Sequence, residues 1–492
     1  MRRARAARRA PATRRRARTL WGGDGAGSGL AVRVLSYTAD EDRVWDARLL
    51  RWDLLGSLGH VEGLRASRII SDADARRLRA GLRAALTAAE RGRLAVGPAH
   101  EDVHTAVEDW LTRRAPGAGE RLHTGRSRND QIACDLRLYL KDRLLTLHSA
   151  ALDLAQALVD FAARHRAVLW PGYTHQRRAM PSSVGAWALG YAEGLLDTAE
   201  ALPALWTAVD RSPLGSAAGY GVPLPLRREA TARALGFGSV DHAVTATQNG
   251  RGKLEAAALF WCSQLGHELS KLAQDLVLSS AEEFGYLVLP AELATGSSIM
   301  PHKRNPDLFE LTRGRAAALD ADLVAVLQLK ARLPGGYHRD FQLLKEPLMR
   351  GLDRAEAMLD MMALALPRVG VDRARAAAAL DGGALATDEV MRRVEAGRPF
   401  RAAYREVKAA LARGEEFAAP PARRLIARRR SSGGLGNLAL PAVRARLRRA
   451  RAWGARERRK FDAAMARLAG RVRPRGRPAR AGAALARRAR RA

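Results

Sequence analysis

The chain has 492 residues, 47% of them apolar, and a formal net charge of +33. That length exceeds one simple core and predicts two or three domains, and the wealth of Ala and Leu suits long packed helices better than a β-rich fold. No apolar run reaches 18 residues, which argues against a membrane-spanning helix, and the charge excludes less than its size suggests because of where it lies.

Residues 1–20 hold nine Arg and no acid, and residues 421–492 hold 24 basic and two acidic side chains. Residues 21–420 carry 51 basic and 49 acidic groups and are nearly neutral. Nucleic acid is therefore not expected as the main partner, and contact through the basic tails is left as a side role at most. Residues 1–20 lack an apolar stretch of the secretory kind and read as a disordered basic extension. Cys134 and Cys262 each sit inside an apolar helical pattern, far from any CxxC, and read as reduced buried thiols of a cytoplasmic protein.

Residues 21–125 carry short helical patterns broken by Gly and Pro and read as an N-terminal helical domain. Residues 126–376 carry the long patterns. Ile132, Leu136, Tyr139, Leu140, Leu144 and Leu147 recur at helical spacing, and Leu254, Ala258, Trp261, Leu265, Leu269, Leu272 and Leu276 predict a second helix of roughly 35 residues. Pro171 and Pro181 bracket a break before a third helix that starts near Ser182. Long helices without β-type alternation read as a central bundle. Residues 377–470 read as a smaller C-terminal helical domain, and 471–492 as a low-complexity basic tail.

Three blocks carry chemistry. In His123-Thr124-Gly125-Arg126-Ser127-Arg128-Asn129-Asp130, guanidiniums, a hydroxyl and an amide gather just before a helix, a place suited to carboxylates. Gly172-Tyr173-Thr174-His175 puts a histidine beside a hydroxyl at the helix break, a candidate acid/base group. Thr295-Gly296-Ser297-Ser298-Ile299-Met300-Pro301-His302-Lys303-Arg304-Asn305 reads as a mobile, anion-binding loop. It ends on a helix with Asn305 as N-cap and Pro306 in the first turn. Glu310 follows within that helix. No metal cluster, nucleotide-binding glycine motif or cofactor-lysine motif is evident, so no cofactor and no metal are expected.

In this order, the blocks resemble the signature regions of the argininosuccinate lyase family within the fumarase/aspartase superfamily. The resemblance runs from about Leu20 to about Gly470. It extends to Glu101-Asp102-Val103-His104, Pro213–Gly219 and Tyr337-His338-Arg339-Asp340-Phe341-Gln342 with Lys345-Glu346. It implies an all-α, three-domain fold around a long-helix bundle, with active sites shared between chains of a homotetramer. It also implies β-elimination of argininosuccinate to arginine and fumarate in arginine biosynthesis. Carried over residue by residue, Ser297 matches the base and His175 the acid, with Glu310 paired to His175; the family has also been described with His as the base, and the sequence leaves both assignments open. Ser127, Arg128, Asn129, Thr174, Lys303 and Asn305 match positions that hold the succinyl carboxylates. Tyr337, Gln342 and Lys345 match those on the arginine half, where a cationic Lys345 suits the α-carboxylate.

Three places depart from the commoner pattern. Met180 stands for an amide, the loop reads His302-Lys303-Arg304, and Thr38 to Asp42 has no clean match to the amino-terminal Ser that helps bind the arginine end. These departures keep a second superfamily lyase open, acting on adenylosuccinate or a modified argininosuccinate. A non-catalytic crystallin-like or RNA-binding protein is the further alternative.

Overall fold

A computed structural model describes residues 29–97, 100–380 and 382–470; the predicted extensions 1–20 and 471–492 lie outside them. Four helices come first: α1 (Gly29–Asp46), α2 (Leu50–Ala66), α3 (Asp72–Glu90) and α4 (Val103–Arg114). The 37-residue α5 (Arg128–Arg164) leads through a hairpin, β1 (Leu169–Thr174) and β2 (Arg177–Ser183), into α6 (Val184–Val209). Short helices α7 (Arg228–Ala234) and α8 (Val244–Asn249) precede α9 (Lys253–Ser279), α10 (Asp307–Lys330) and α11 (Lys345–Ala365). Five more helices follow: α12 (Arg373–Ala378), α13 (Ala386–Glu395), α14 (Phe400–Ala412), α15 (Ala422–Arg428) and α16 (Leu440–Ala469). The fold is all-α apart from short strand pairs.

Helices α5, α6, α9, α10 and α11 pack together as the bundle, and α16 returns to lie along α5. One large buried cluster runs from Leu49 to Ala469 and contains every apolar residue of the α5 pattern named above. An 18-residue window of α5 has a mean hydropathy of 1.2, enough to cross a membrane by length and composition, and most of that window is buried inside the protein. Its apolar surface serves the core. Cys134 and Cys262 are free and buried, as expected from their helical context.

The structure revises the predicted elements in three places. The α9 pattern gives 27 residues rather than about 35, with left-handed Gly252 before its first residue and Ser280 after its last. The break between Pro171 and Pro181 is an antiparallel hairpin in which these two prolines face each other in register. Proline cannot donate to a ladder, so it sits well only on such an edge. The helix after the 295 loop starts at Asp307, and Asn305 is not its N-cap: Asn305 pairs with Thr295 in a two-residue strand, closing the base of the loop.

The hairpin is held where α6 begins. Ser183 caps α6 by accepting from the Ala186 N–H at 3.0 Å. Gly185 lies against the end of α5, and a Cβ there would stand 2.6 Å from the Arg166 Cα and 2.7 Å from the Ala162 carbonyl oxygen. Both are backbone atoms that cannot swing aside. Gly185→Ala is expected to destabilise the fold by about 1–3 kcal/mol, the usual cost of overpacking, and a urea midpoint equal to wild type would contradict this close approach.

Candidate active site

The N-terminus of α5 is the best-organised part of the site. Ser127 caps the helix by accepting from the Asn129 N–H at 3.2 Å, and Asp130 returns the favour to the Ser127 N–H at 2.9 Å, a capping box. The second Asp130 oxygen accepts from the Gly215 and Ala217 N–H groups at 2.9 and 2.8 Å. Burial pushes the Asp130 carboxyl up to about 6, although these backbone donors favour its charged form. One side chain thus ties the first block to the Pro213–Gly219 turn.

Above this helix end lies a cleft of about 430 Å³. Ser127, Arg128, Asn129, Tyr337, Gln342 and Lys345 all line it, so six of the predicted residues, from two stretches more than 200 positions apart, meet in one chain. Gln342 donates to the Thr38 carbonyl at 2.7 Å, which brings the divergent amino-terminal segment to the same wall.

Charges in the cleft are largely paired. Arg128 lies 2.7 Å from Asp102 and 3.5 Å from Glu101, and it also donates to Thr105 at 3.2 Å. Lys345 is buried with its ammonium 2.7 Å from Asp42 and 2.8 Å from Asp46. Burial opposes the Lys345 charge, but Asp46 and Asp42 outweigh it and hold its pKa above the usual lysine value. Burial lifts Asp42 to about 6 in spite of Lys345. Two carboxylates around one ammonium leave this end of the cleft net negative once both are ionised. That qualifies the role expected from the resemblance, since the Lys345 charge is already shared.

The remaining predicted residues stand elsewhere. Thr174 and His175 are exposed at the hairpin tip, where His175 and Gln176 have φ of +51° and +56°. A two-residue hairpin turn with positive φ at both positions normally uses Asn and Gly, so His and Gln there are strained. Such strain concentrates at functional positions. Ser297 is half-buried, and its Oγ accepts from the Met300 and Ile299 N–H groups at 3.1 and 3.4 Å. Lys303 is exposed and makes no ion pair among the described residues. Glu310 lies 3.6 Å from Arg313, and the expected pairing with His175 is not made within one chain.

Residues without a predicted role also line the cleft, among them Asp42, Asp46, Glu101, Asp102, His104, Arg251 and Arg339. The quoted Glu101–His104 stretch held part of this set. Arg251 had no local signal and was brought in by α8 and the turn after it. Among the described residues, Asp53, His104 and Asp135 form the one His/acid grouping with ligand atoms all within 4.8 Å of one another. The sequence hid it, because its members come from α2, α4 and α5. Its His104–Asp53 hydrogen bond, at 3.1 Å, accounts for the closest approach without a cation.

A lyase family model matches residues 64–319. An argininosuccinate lyase from Sorangium cellulosum is 42% identical over 87% of this chain and 98% of its own length. The chain belongs to the argininosuccinate lyase family. A relative of the same name from Stenotrophomonas maltophilia is 38% identical over 85% of the chain and 97% of its own length. Another from Thermotoga neapolitana is 37% identical over 76% and 94%. In fold, the chain is similar to a variant EDDS lyase with bound fumarate, at TM-score 0.74, 23% identity, and 89% and 94% coverage. It is also similar to a class II fumarase from Schistosoma mansoni, at TM-score 0.65, 15% identity, and 75% and 85% coverage.

Lys345→Met leaves Asp42 and Asp46 buried without their cation. It is expected to cost about 3–5 kcal/mol, as for other buried pairs that lose one partner. A carboxyl whose folded pKa lies above its unfolded value penalises the folded state as pH rises through the folded value. Wild-type Asp42 already titrates near 6 rather than 3.8, and removing Lys345 raises it further. The deficit in this variant is therefore larger at pH 7.5 than at pH 5.5; equal urea-denaturation deficits at both pH values would refute the buried pairing.

Proposed function

We propose that the chain is a cytoplasmic argininosuccinate lyase that catalyses the reversible β-elimination of argininosuccinate to arginine and fumarate in arginine biosynthesis. The observation that carries this reading is the meeting of Ser127, Arg128 and Asn129 with Tyr337, Gln342 and Lys345 in one cleft, in a chain of this family. The first set sits on a helix N-terminus and suits the succinyl carboxylates. The second lines the end that suits the arginine half.

The reaction removes a carbon-bound proton next to a carboxylate and protonates the departing guanidino nitrogen. Ser297 is the proposed base. A free hydroxyl is too weak for this at neutral pH, and the two amide N–H groups already directed at its Oγ are the kind of donors that stabilise an alkoxide. His175 is the proposed acid and the alternative base. Lys303, Asn305 and Thr174 complete the carboxylate clamp, and Glu310 orients His175 from another chain. Ile299 is 82% exposed at the loop tip, which suits a segment that closes over substrate and excludes water.

The proposed assembly is a homotetramer with shared active sites. Phe260 on α9 and Leu311, Val324 and Leu327 on α10 are all exposed. Apolar residues displayed along long bundle helices favour burial against further copies of the chain. Such packing is also a way for the hairpin tip and the 295 loop of other chains to reach the cleft. The proposed N-terminal helical, central bundle and C-terminal helical domains are 21–125, 126–376 and 377–470.

At the far end Asp42 and Asp46 outnumber Lys345 by one charge, while Glu101 is paired with Arg339 at 3.2 Å, so this end favours an ammonium and opposes a phosphate. It therefore speaks for argininosuccinate over adenylosuccinate.

Purified protein is expected to release fumarate from argininosuccinate, followed by ultraviolet absorbance, and faster release from adenylosuccinate would overturn the substrate assignment. Ser297→Ala and His175→Asn are each expected to lower turnover at least ~100-fold, the scale of lost acid/base catalysis; a near-normal rate in either would remove its role. Dissociating and remixing Ser297→Ala with Asn129→Ala chains is expected to restore part of the activity, because some mixed sites regain both residues. No recovery from properly reassembled mixtures would contradict shared sites.

A further inference from the structure

We propose that His104, oriented by Asp53, is a further substrate-binding residue that donates from Nε2 to the succinyl carboxylate gathered at the start of α5. This rests on the lyase reading above and adds a residue to it.

His104 lies in the first turn of α4, behind the N-cap Asp102, and lines the cleft together with Ser127, Arg128 and Asn129. Its Nδ1 faces the buried Asp53 Oδ1 at 3.1 Å. The same oxygen accepts from the Gln131 amide at 2.5 Å, so Asp53 is itself held in place. That bond fixes Nδ1 as a donor and the ring plane with it. Nε2 has no protein partner among the described residues and is left for the cleft.

The local charge balance calls for such a donor. Arg128 is compensated by Asp102 and Glu101. A substrate carboxylate arriving at the α5 terminus meets helix N–H groups and an arginine whose charge is shared. The His104 imidazole adds an Nε2–H donor there, its own charge balanced by Asp53. Burial disfavours the His104 charge, but Asp53, Asp102 and Asp46 outweigh it and raise its pKa above the usual histidine value. On the far side, Asp135 lies 4.0 Å from Nδ1. Both its oxygens are buried without a hydrogen-bond donor. Burial, together with Asp53 and Asp46, pushes its pKa well up. The hydrogen-bonded pair is therefore His104–Asp53, and Asp135 packs behind it without a donor. A metal held by the same three side chains would need Asp135 ionised and His104 neutral, against the direction in which their surroundings push both.

The test uses the two products as separate probes in the full-length enzyme. Fumarate carries the succinyl carboxylates and arginine does not. His104→Ala is expected to weaken inhibition by fumarate and raise the KM for argininosuccinate at least ~10-fold, the scale of a hydrogen bond to a charged group, while inhibition by arginine changes less than about twofold. His104→Gln places an amide N–H near the Nε2 position and is expected to recover part of the loss. Asp53→Asn is expected to follow His104→Ala in direction, whereas Asp135→Asn, which mimics a neutral acid, stays within about twofold of wild type. Unchanged fumarate inhibition in folded His104→Ala protein, or a loss in His104→Gln as large as that in His104→Ala, would overturn the proposal. So would an Asp135→Asn loss as large as that of Asp53→Asn, or stabilisation by Zn²⁺ that Asp135→Asn abolishes. If wild type released no fumarate from argininosuccinate, the underlying reading would fall, and calorimetric titration of fumarate into wild type and His104→Ala would still decide the role of His104.

Discussion

The capping box at the start of α5 is the interaction on which the site depends. A 37-residue helix leaves its first N–H groups without partners and concentrates positive potential there. Ser127 and Asp130 satisfy part of that demand, and Asp130 spends its second oxygen on the Gly215 and Ala217 backbone. The result is a fixed helix terminus with Arg128 and Asn129 in its first turn, directed into the cleft. Everything proposed for the succinyl half builds on this terminus, because a carboxylate binds well only where its donors are already in place.

Around that terminus, charge is arranged in compensated groups rather than as free cations. Lys345 is enclosed by Asp42 and Asp46, Arg128 by Asp102 and Glu101, and His104 is backed by Asp53. Buried charges cost too much to stand alone, so the cleft carries its cations with their counter-ions. This division gives the two ends different character. The α5 end keeps N–H donors and the imidazole, whereas the Lys345 end is net negative, as suits a substrate with carboxylates at one side and an ammonium at the other. The candidate catalytic groups, Ser297 and His175, lie outside this cleft on a loop and a hairpin tip, which fits chemistry completed by neighbouring chains.

Much of this was legible in the sequence where local rules govern. The apolar spacing of α5, the polar cluster His123–Asp130 ahead of a helix and the hydroxyl-rich loop at 295–305 each follow from near neighbours in the chain. The misses have equally specific causes. Asn305-Pro306 carries a helix-start signature, but pairing of Asn305 with Thr295 overrides it and moves the start to Asp307. Pro171 and Pro181 read as a break because each disfavours both helix and central strand, whereas facing each other on an isolated hairpin removes the conflict.

By itself the sequence determined the helical class, the near-neutral body with basic ends, and the family to which the chain belongs. These depend on composition, periodicity and contiguous motifs. Only the tertiary structure decided that Thr38–Asp46, Glu101–His104 and Tyr337–Lys345 share one wall, that the Lys345 charge is shared by two carboxylates, and that His104 rests on Asp53. Those facts depend on distance between residues remote in sequence and on burial, which sets both the strength of a charge pair and the protonation of its members. No local pattern encodes either.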